Sequence, residues 1–233
     1  MQFTGKLPRI PLALLKAIIA FGGMNIPEER LTDTLWPDAA EQAARFSLTS
    51  AIHRLRILLG QPDVVSRIDH KVSLNKENCW LDIWELEKLL DRMEHVALVQ
   101  DEKIVSSESS ELIREAAGLY RGPFLGNESV TQWAAPLADS LRRRMLRQLA
   151  AFGDRLQAAE RWDEAALWYE KGLSVDPCAE DVCRQLMTTY NKLGRTGEIF
   201  RTYKYFREAL QSLAGIPPSA LTESLLQHFL KEK

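Results

Sequence analysis

The chain has 233 residues, 45% of them hydrophobic and 27% charged, with a formal net charge of −2. That is the composition of a soluble globular protein of one large or two small domains, and it excludes a disordered or collagen-like chain. Charge alone does not announce a nucleic-acid binder: nine basic and seven acidic side chains in residues 1–75 leave a small positive excess, and the remainder is acidic.

No apolar run reaches the roughly 18 residues of a membrane span. The longest, Ile10 to Phe21, carries Lys16, starts with prolines and lacks a cleavage site of small residues. The reading is a cytoplasmic protein with no membrane partner. Cys79, Cys178 and Cys183 have no CxxC or histidine-paired spacing and are expected to be reduced and partly buried, with neither disulfide nor metal.

In chain order, Pro11 suits the first turn of a helix whose stripe is Leu14, Leu15, Ile18 and Ile19, ended by Gly22-Gly23. Pro27 opens a short helix with Glu28 and Glu29 in its first turn, and Pro37 ends it at Trp36. Ala43 to Gly60 predicts a longer helix. At 100° per residue Leu48, Ile52, Leu55 and Leu59 form a stripe to bury, while Ser47, Ser50 and Arg54 cluster roughly opposite, with Ala43 and Ile57. Small hydroxyls let a backbone come close to DNA, and arginine can fork onto a guanine edge. Phe46 lies off the buried stripe, where a polar residue would suit a phosphate. Val64 to Leu74 reads as two short strands around a tight Asp69-His70 turn. Helix, short helix, longer helix, hairpin is the order of a winged helix-turn-helix.

From Asp82 the pattern is helical. Asp82–His95 puts Leu86, Leu89, Leu90 and Met93 at core spacing, residues 100–110 read as a polar loop, and Glu111–Tyr120 as a helix stopped by Gly122-Pro123. A long helix spans about 130–160, and its Arg142, Arg143, Arg144 and Arg147 suggest a solvated face or a second contact to DNA or to an acidic partner. Arg161-Trp162-Asp163-Glu164 and Arg195-Thr196-Gly197-Glu198 lie 34 residues apart, with Tyr169 opposite Tyr203, Leu156 opposite Tyr190 and Ala166 opposite Phe200. Thirty-four is the tetratricopeptide period, here degenerate at Phe200. Trp168, Tyr169 and Tyr203 are expected to pack that repeat, with a peptide-binding concave face as the sharper reading. Gly194 marks a turn between helices, and Ser219 can cap a final helix reaching about Lys231. Trp36 and Trp80 are expected in the core or at a seam between domains.

An ordered set of pieces covers nearly the whole chain. It runs from Glu29-Arg30-Leu31 through Leu35-Trp36-Pro37 to Ile52-His53-Arg54-Leu55-Arg56 and Leu59-Gly60. Leu81-Asp82, Leu119-Tyr120-Arg121-Gly122-Pro123-Phe124-Leu125 and Asp176-Pro177 with Glu180 follow, then Leu186-Met187, Tyr190, Gly194, Tyr203 and Leu210. The set resembles the family that joins a winged helix to a bacterial transcriptional activator domain, as in the Streptomyces antibiotic regulatory proteins. The resemblance implies a mainly α chain: a winged helix-turn-helix with a β-hairpin wing at 1–76, and an all-α, tetratricopeptide-like activator domain at 77–233. It also implies a sequence-specific regulator, an activator, whose second motif helix enters the major groove of double-stranded promoter or operator DNA. By position Arg54 matches the arginine that reaches base edges and Arg56 one that meets phosphate. The helical domain would join protomers as a homo-oligomer, contact RNA polymerase or take a signal from a sensor domain. Such winged helices begin with a small sheet, yet only Met1–Ile10 precede the first helix. Either a longer protein has contributed its carboxyl-terminal piece, or the module is trimmed.

The candidate DNA-binding residues are therefore Arg45, Ser47, Ser50, His53, Arg54 and Arg56 on the helix and Arg67 and Lys71 on the wing. Arg45 and Arg56 suit phosphate contacts or surface salt bridges equally; Arg67 and Lys71 suit a DNA backbone or simply a charged hairpin. His53, His70, His95 and His228 have no metal-ligand context, and no GxSxG or phosphate loop is present. No enzyme, cofactor or metal is expected. The alternative is a protein–protein scaffold whose winged helix does not bind DNA.

Overall fold

The computed structural model describes residues 8–99, 105–126 and 132–231. These divide into two compact units: one of residues 1–81 with 127–138, the other of 82–126 with 139–233. The mainly α architecture expected from the sequence is what forms.

In the first unit, α1 (Arg9–Ala20), α2 (Glu28–Leu35) and α3 (Glu41–Leu59) precede a 3-10 turn at Pro62–Val64 and the strands β2 (Val65–Ile68) and β3 (Lys71–Leu74). Leu14, Ala17 and Ile18 of α1, Leu31 of α2 and Leu48, Ala51, Ile52 and Leu55 of α3 are all buried, and each large one contributes about 1.5–3 kcal/mol on leaving water. Gly60, at φ 69°, ends α3 in the left-handed conformation that costs glycine nothing. Asp69 and His70 both have positive φ (49° and 57°) and close a two-residue hairpin, with Ile68 opposite Lys71.

The sequence pattern did not show β1, Ile26–Pro27, which pairs with β3 in the order β1-β3-β2, all antiparallel. Two residues are too few for an alternation to register, and a proline is tolerated because the strand lies at the edge. The strand considered before the first helix falls largely on residues 1–7, outside the described residues.

The second unit holds α4 (Asp82–Val99), α5 (Ser107–Leu119), α6 (Ala135–Ala158) from residue 139 on, α7 (Trp162–Val175), α8 (Glu180–Lys192), α9 (Thr196–Leu213) and α10 (Ala220–Lys231). Of the loop expected at 100–110, residues 100–104 lie outside the described residues, and the part from Ser107 on is helical. Ser106 accepts the Ser109 N–H at 3.1 Å as an N-cap, so the serine-rich stretch begins α5 instead of filling a loop. The 34-residue repeat is real in the backbone. Arg161 and Arg195 precede α7 and α9 with nearly the same dihedrals (φ −87°, ψ 62° and φ −91°, ψ 63°). Each N–H reaches back to the preceding helix, Arg161 to the Leu156 carbonyl and Arg195 to that of Tyr190. Glu160 takes the positive φ that Gly194 takes one period later. Ala166 is buried, whereas its counterpart Phe200 is 42% exposed, so the bulky residue lies at the surface and the packing is not the same in the two copies.

Trp80 is 68% exposed, against the expectation of a core or seam residue. The arginine cluster of α6 is also not simply solvated. Consecutive helical positions diverge by 100°, so Arg142 reaches Asp176 (2.5 Å) and Arg144 reaches Asp91 (2.6 Å) and Glu94 (2.9 Å), while Arg143 and Arg147 remain exposed. The cysteines are free, Cys183 buried and the other two partly so.

Candidate nucleic-acid interface

The buried side of α3 is Ala44, Leu48, Ala51, Ile52 and Leu55; Leu59, expected to join it, is the last residue of the helix and is half-buried. Leu55 marks the centre of that side. Directly opposite, at 100° per residue, lie Phe46, Ser50, His53 and Ile57, with Arg54 and Ser47 about 80–100° round from Phe46. Phe46, His53, Arg54 and Ile57 are exposed, and Ser47 and Ser50 half-buried. Between Glu41 and Asp63 the chain has no acidic residue. Glu41 itself is paired with Arg45 one turn on, at 2.8 Å with both side chains well exposed. Arg54, His53, Ser47 and Ser50 make no side-chain hydrogen bond or ion pair with the described residues.

Arg56 turns inward. Its Nε and Nη2 both donate to the Val65 carbonyl (3.0 and 2.7 Å), tying the end of α3 to the start of β2. Arg67 also turns inward. Its Nε and Nη2 donate to the two carboxylate oxygens of Glu28 (2.6 and 2.7 Å) and its Nη1 to Thr49 Oγ1 (2.9 Å). Glu28, only 6% exposed, is the first residue of α2, and its N–H donates to the His70 carbonyl (2.9 Å). One wing side chain thus braces the helix before the motif's turn and the outer flank of α3. Hydrogen bonding from the Arg67 guanidinium holds the Glu28 carboxyl below the ordinary carboxylate range, against the opposing pull of burial. His70 stands 4.0 Å from the same carboxylate. Lys71 shares a recess with Arg45, Glu28, Glu29, Asp69 and His70, so the structure brings one helix cation and one wing cation to the same hollow.

Of the eight candidate residues, five stand on the outer arc of α3, Lys71 lines the recess beside it, and Arg56 and Arg67 are engaged within the unit. Sequence reasoning missed the part played by Glu28 and Thr49. A glutamate in a first helical turn reads as a dipole partner, and nothing local signals that a side chain 39 residues away will fork onto it.

The second unit also carries a groove lined by Leu173, Leu186, Tyr190, Arg201 and Tyr205. Three tyrosines of this unit donate to carboxylates: Tyr169 to Asp154 (2.5 Å), Tyr190 to Glu170 and Tyr203 to Glu223. Trp168 packs edge-on against Phe152, with ring centroids 5.3 Å apart. No cluster of three metal-ligating side chains occurs among the described residues.

Residues 81–230 match the model of the bacterial transcriptional activator domain. The chain belongs to that family. That family is one of transcriptional regulators and is not an enzyme class. Curated relatives are the transcriptional regulatory proteins EmbR of Mycobacterium bovis and Mycobacterium tuberculosis, 23% identical over 228 residues, which is 95% of this chain and 57% of theirs. A solved structure of Mycobacterium tuberculosis EmbR in complex with a low affinity phosphopeptide has the same fold, with a TM-score of 0.64 at 20% identity, over 99% of this chain and 61% of that one. The chain therefore spans little more than half the length of the relatives it matches. No described helix is long and apolar enough to cross a membrane.

Proposed function

We propose that the first unit binds double-stranded promoter DNA as a transcriptional activator in the cytoplasm, laying α3 in the major groove, and that the second unit makes the protein contacts. The observation that carries this reading is the outer arc of α3: free of acids, bearing Arg45, His53 and Arg54, and braced at its flank by the wing. Phosphate contacts position such a helix and one or two base contacts specify the site. Arg54, without an internal partner, is the base reader; Ser47 and Ser50 allow close approach; Arg45 and Lys71 face phosphates. Arg56 and Arg67 act first as struts that fix the wing, and meet phosphate only with what reach that leaves. RNA polymerase, a sensor domain or a second copy of the chain are the partners proposed for the helical unit.

Titration with promoter duplexes should show affinity falling steeply with salt as phosphate-bound cations release counterions. Arg54→Ala should cost about 1–3 kcal/mol on a specific site and relax the preference at one position. Unchanged affinity and specificity would remove Arg54 from the role. The inward turn of Arg56 and Arg67 favours a second reading, a scaffold whose winged helix no longer meets DNA; absence of any duplex binding at low salt would select it.

A further inference from the structure

Phe46 is the part of the α3 arc that the charge argument leaves unexplained. It is 78% exposed, the most exposed large hydrophobic side chain among the described residues. It lies on the second turn of the 19-residue helix, at the centre of the face opposite Leu55. The residues within a turn on that face are Gln42, Ala43, Ser47, Thr49 and Ser50, none with an apolar surface large enough to cover a ring. Ile57, the next exposed apolar residue of the arc, stands eleven residues on, about 16 Å along the helix axis. The ring is therefore a single projection among small polar side chains. A protein-docking surface needs a contiguous apolar patch, and this is not one. Arg45, paired with Glu41, adjoins it, Arg54 stands eight residues on, about 12 Å along the axis, and no carboxylate follows Glu41 on the helix, so the exposed arc complements a polyanion.

Building on the DNA-binding reading, we propose that Phe46 is a specificity-determining residue that packs on the 5-methyl group of thymine in the major groove. The methyl is the one apolar feature that the groove displays, and phenylalanine is among the side chains that contact it. The first turns of a recognition helix are the part that reaches base edges. The small neighbours Ala43, Ser47 and Ser50 let the helix come near enough for a ring to touch a base. Preference for thymine over cytosine at that position would then come from apolar contact, complementing Arg54, which reads by hydrogen bonds.

The test uses the full chain and duplexes selected by it from a random pool. Each thymine in the bound site is replaced singly by uracil, which keeps every hydrogen-bonding group and removes only the methyl. Wild-type protein should lose about fourfold in affinity at one position, the factor corresponding to one buried methyl. Phe46→Ala should bind with the same salt dependence but show no difference between thymine and uracil there. Phe46→Leu, still apolar, should keep the discrimination. Salt-dependent binding with no uracil effect at any position, or an equal effect in Phe46→Ala, overturns the methyl contact and leaves the DNA-binding reading standing. Absence of binding to any duplex by the wild type overturns both.

Discussion

Removing the Arg67 guanidinium leaves the nearly enclosed Glu28 carboxylate without its hydrogen-bonded partner, with only His70, 4.0 Å away, and the more distant Arg45 near its charge. Arg67→Ala deletes two hydrogen bonds to the carboxylate and one to Thr49, at 2.6, 2.7 and 2.9 Å. A fully buried pair broken on one side costs about 3–5 kcal/mol. Here the arginine side chain is 33% exposed against 7% for the glutamate, so water reaches one partner and screens part of the interaction. About 2 kcal/mol of destabilisation of the first unit is the expectation, in the range for hydrogen bonds to charged groups. Urea unfolding should show it as a midpoint lower by roughly 1–2 M with an unchanged slope of about 1–2 kcal/mol/M. Hydrogen exchange of β2 and β3 assigns the loss to this unit. Glu28→Ala and the double variant close a cycle, and the double variant should cost less than the two singles added together. The pH dependence has a definite sign. Because the folded-state pKa of Glu28 is lowered from its ordinary 4.5, the pair's contribution is present above that value and is lost as pH falls through the depressed one. Wild type and Arg67→Ala should therefore converge in acid. Equal midpoints at pH 7, or a gap that widens as pH falls, would refute the strut.

Two further substitutions probe how the fold is held. A Cβ on Gly153 would lie 2.6 Å from the ring of Tyr169, which is fully buried, so Gly153→Ala should destabilise the second unit by about 1–3 kcal/mol in thermal unfolding. His70 sits at φ 57° in the hairpin turn, the second position of a turn that prefers glycine, so His70→Gly should raise the stability of the first unit by up to about 1 kcal/mol in the same measurement.

Legibility differed between elements for reasons that lie in the chain. Prolines at 11, 27 and 37 and glycines at 22, 23 and 60 punctuate the first three helices, because they act through φ and the missing N–H, which are properties of single residues. The hairpin was equally readable: β-branched residues on either side of Asp69-His70 have no other regular use. The serine stretch before Glu111 misled, since serines favour loops and helix caps alike and only the Ser106 geometry decides between them. Trp80 misled because a large aromatic is usually covered, and nothing adjacent in sequence reports whether it is.

The order of elements, the 34-residue period and the arc of α3 free of acids were determined by the sequence itself, since each depends on residue type and on spacing within a few turns. Which arginines stay available was decided only by the tertiary structure. Arg54 and Arg56 are two residues apart on one helix and Arg67 lies on the wing. Yet Arg54 faces outward, Arg56 holds the Val65 carbonyl and Arg67 holds Glu28. A guanidinium takes the nearest acceptor that is poor in water, and which acceptor that is depends on segments brought together by folding, nine residues away in one case and 39 in the other.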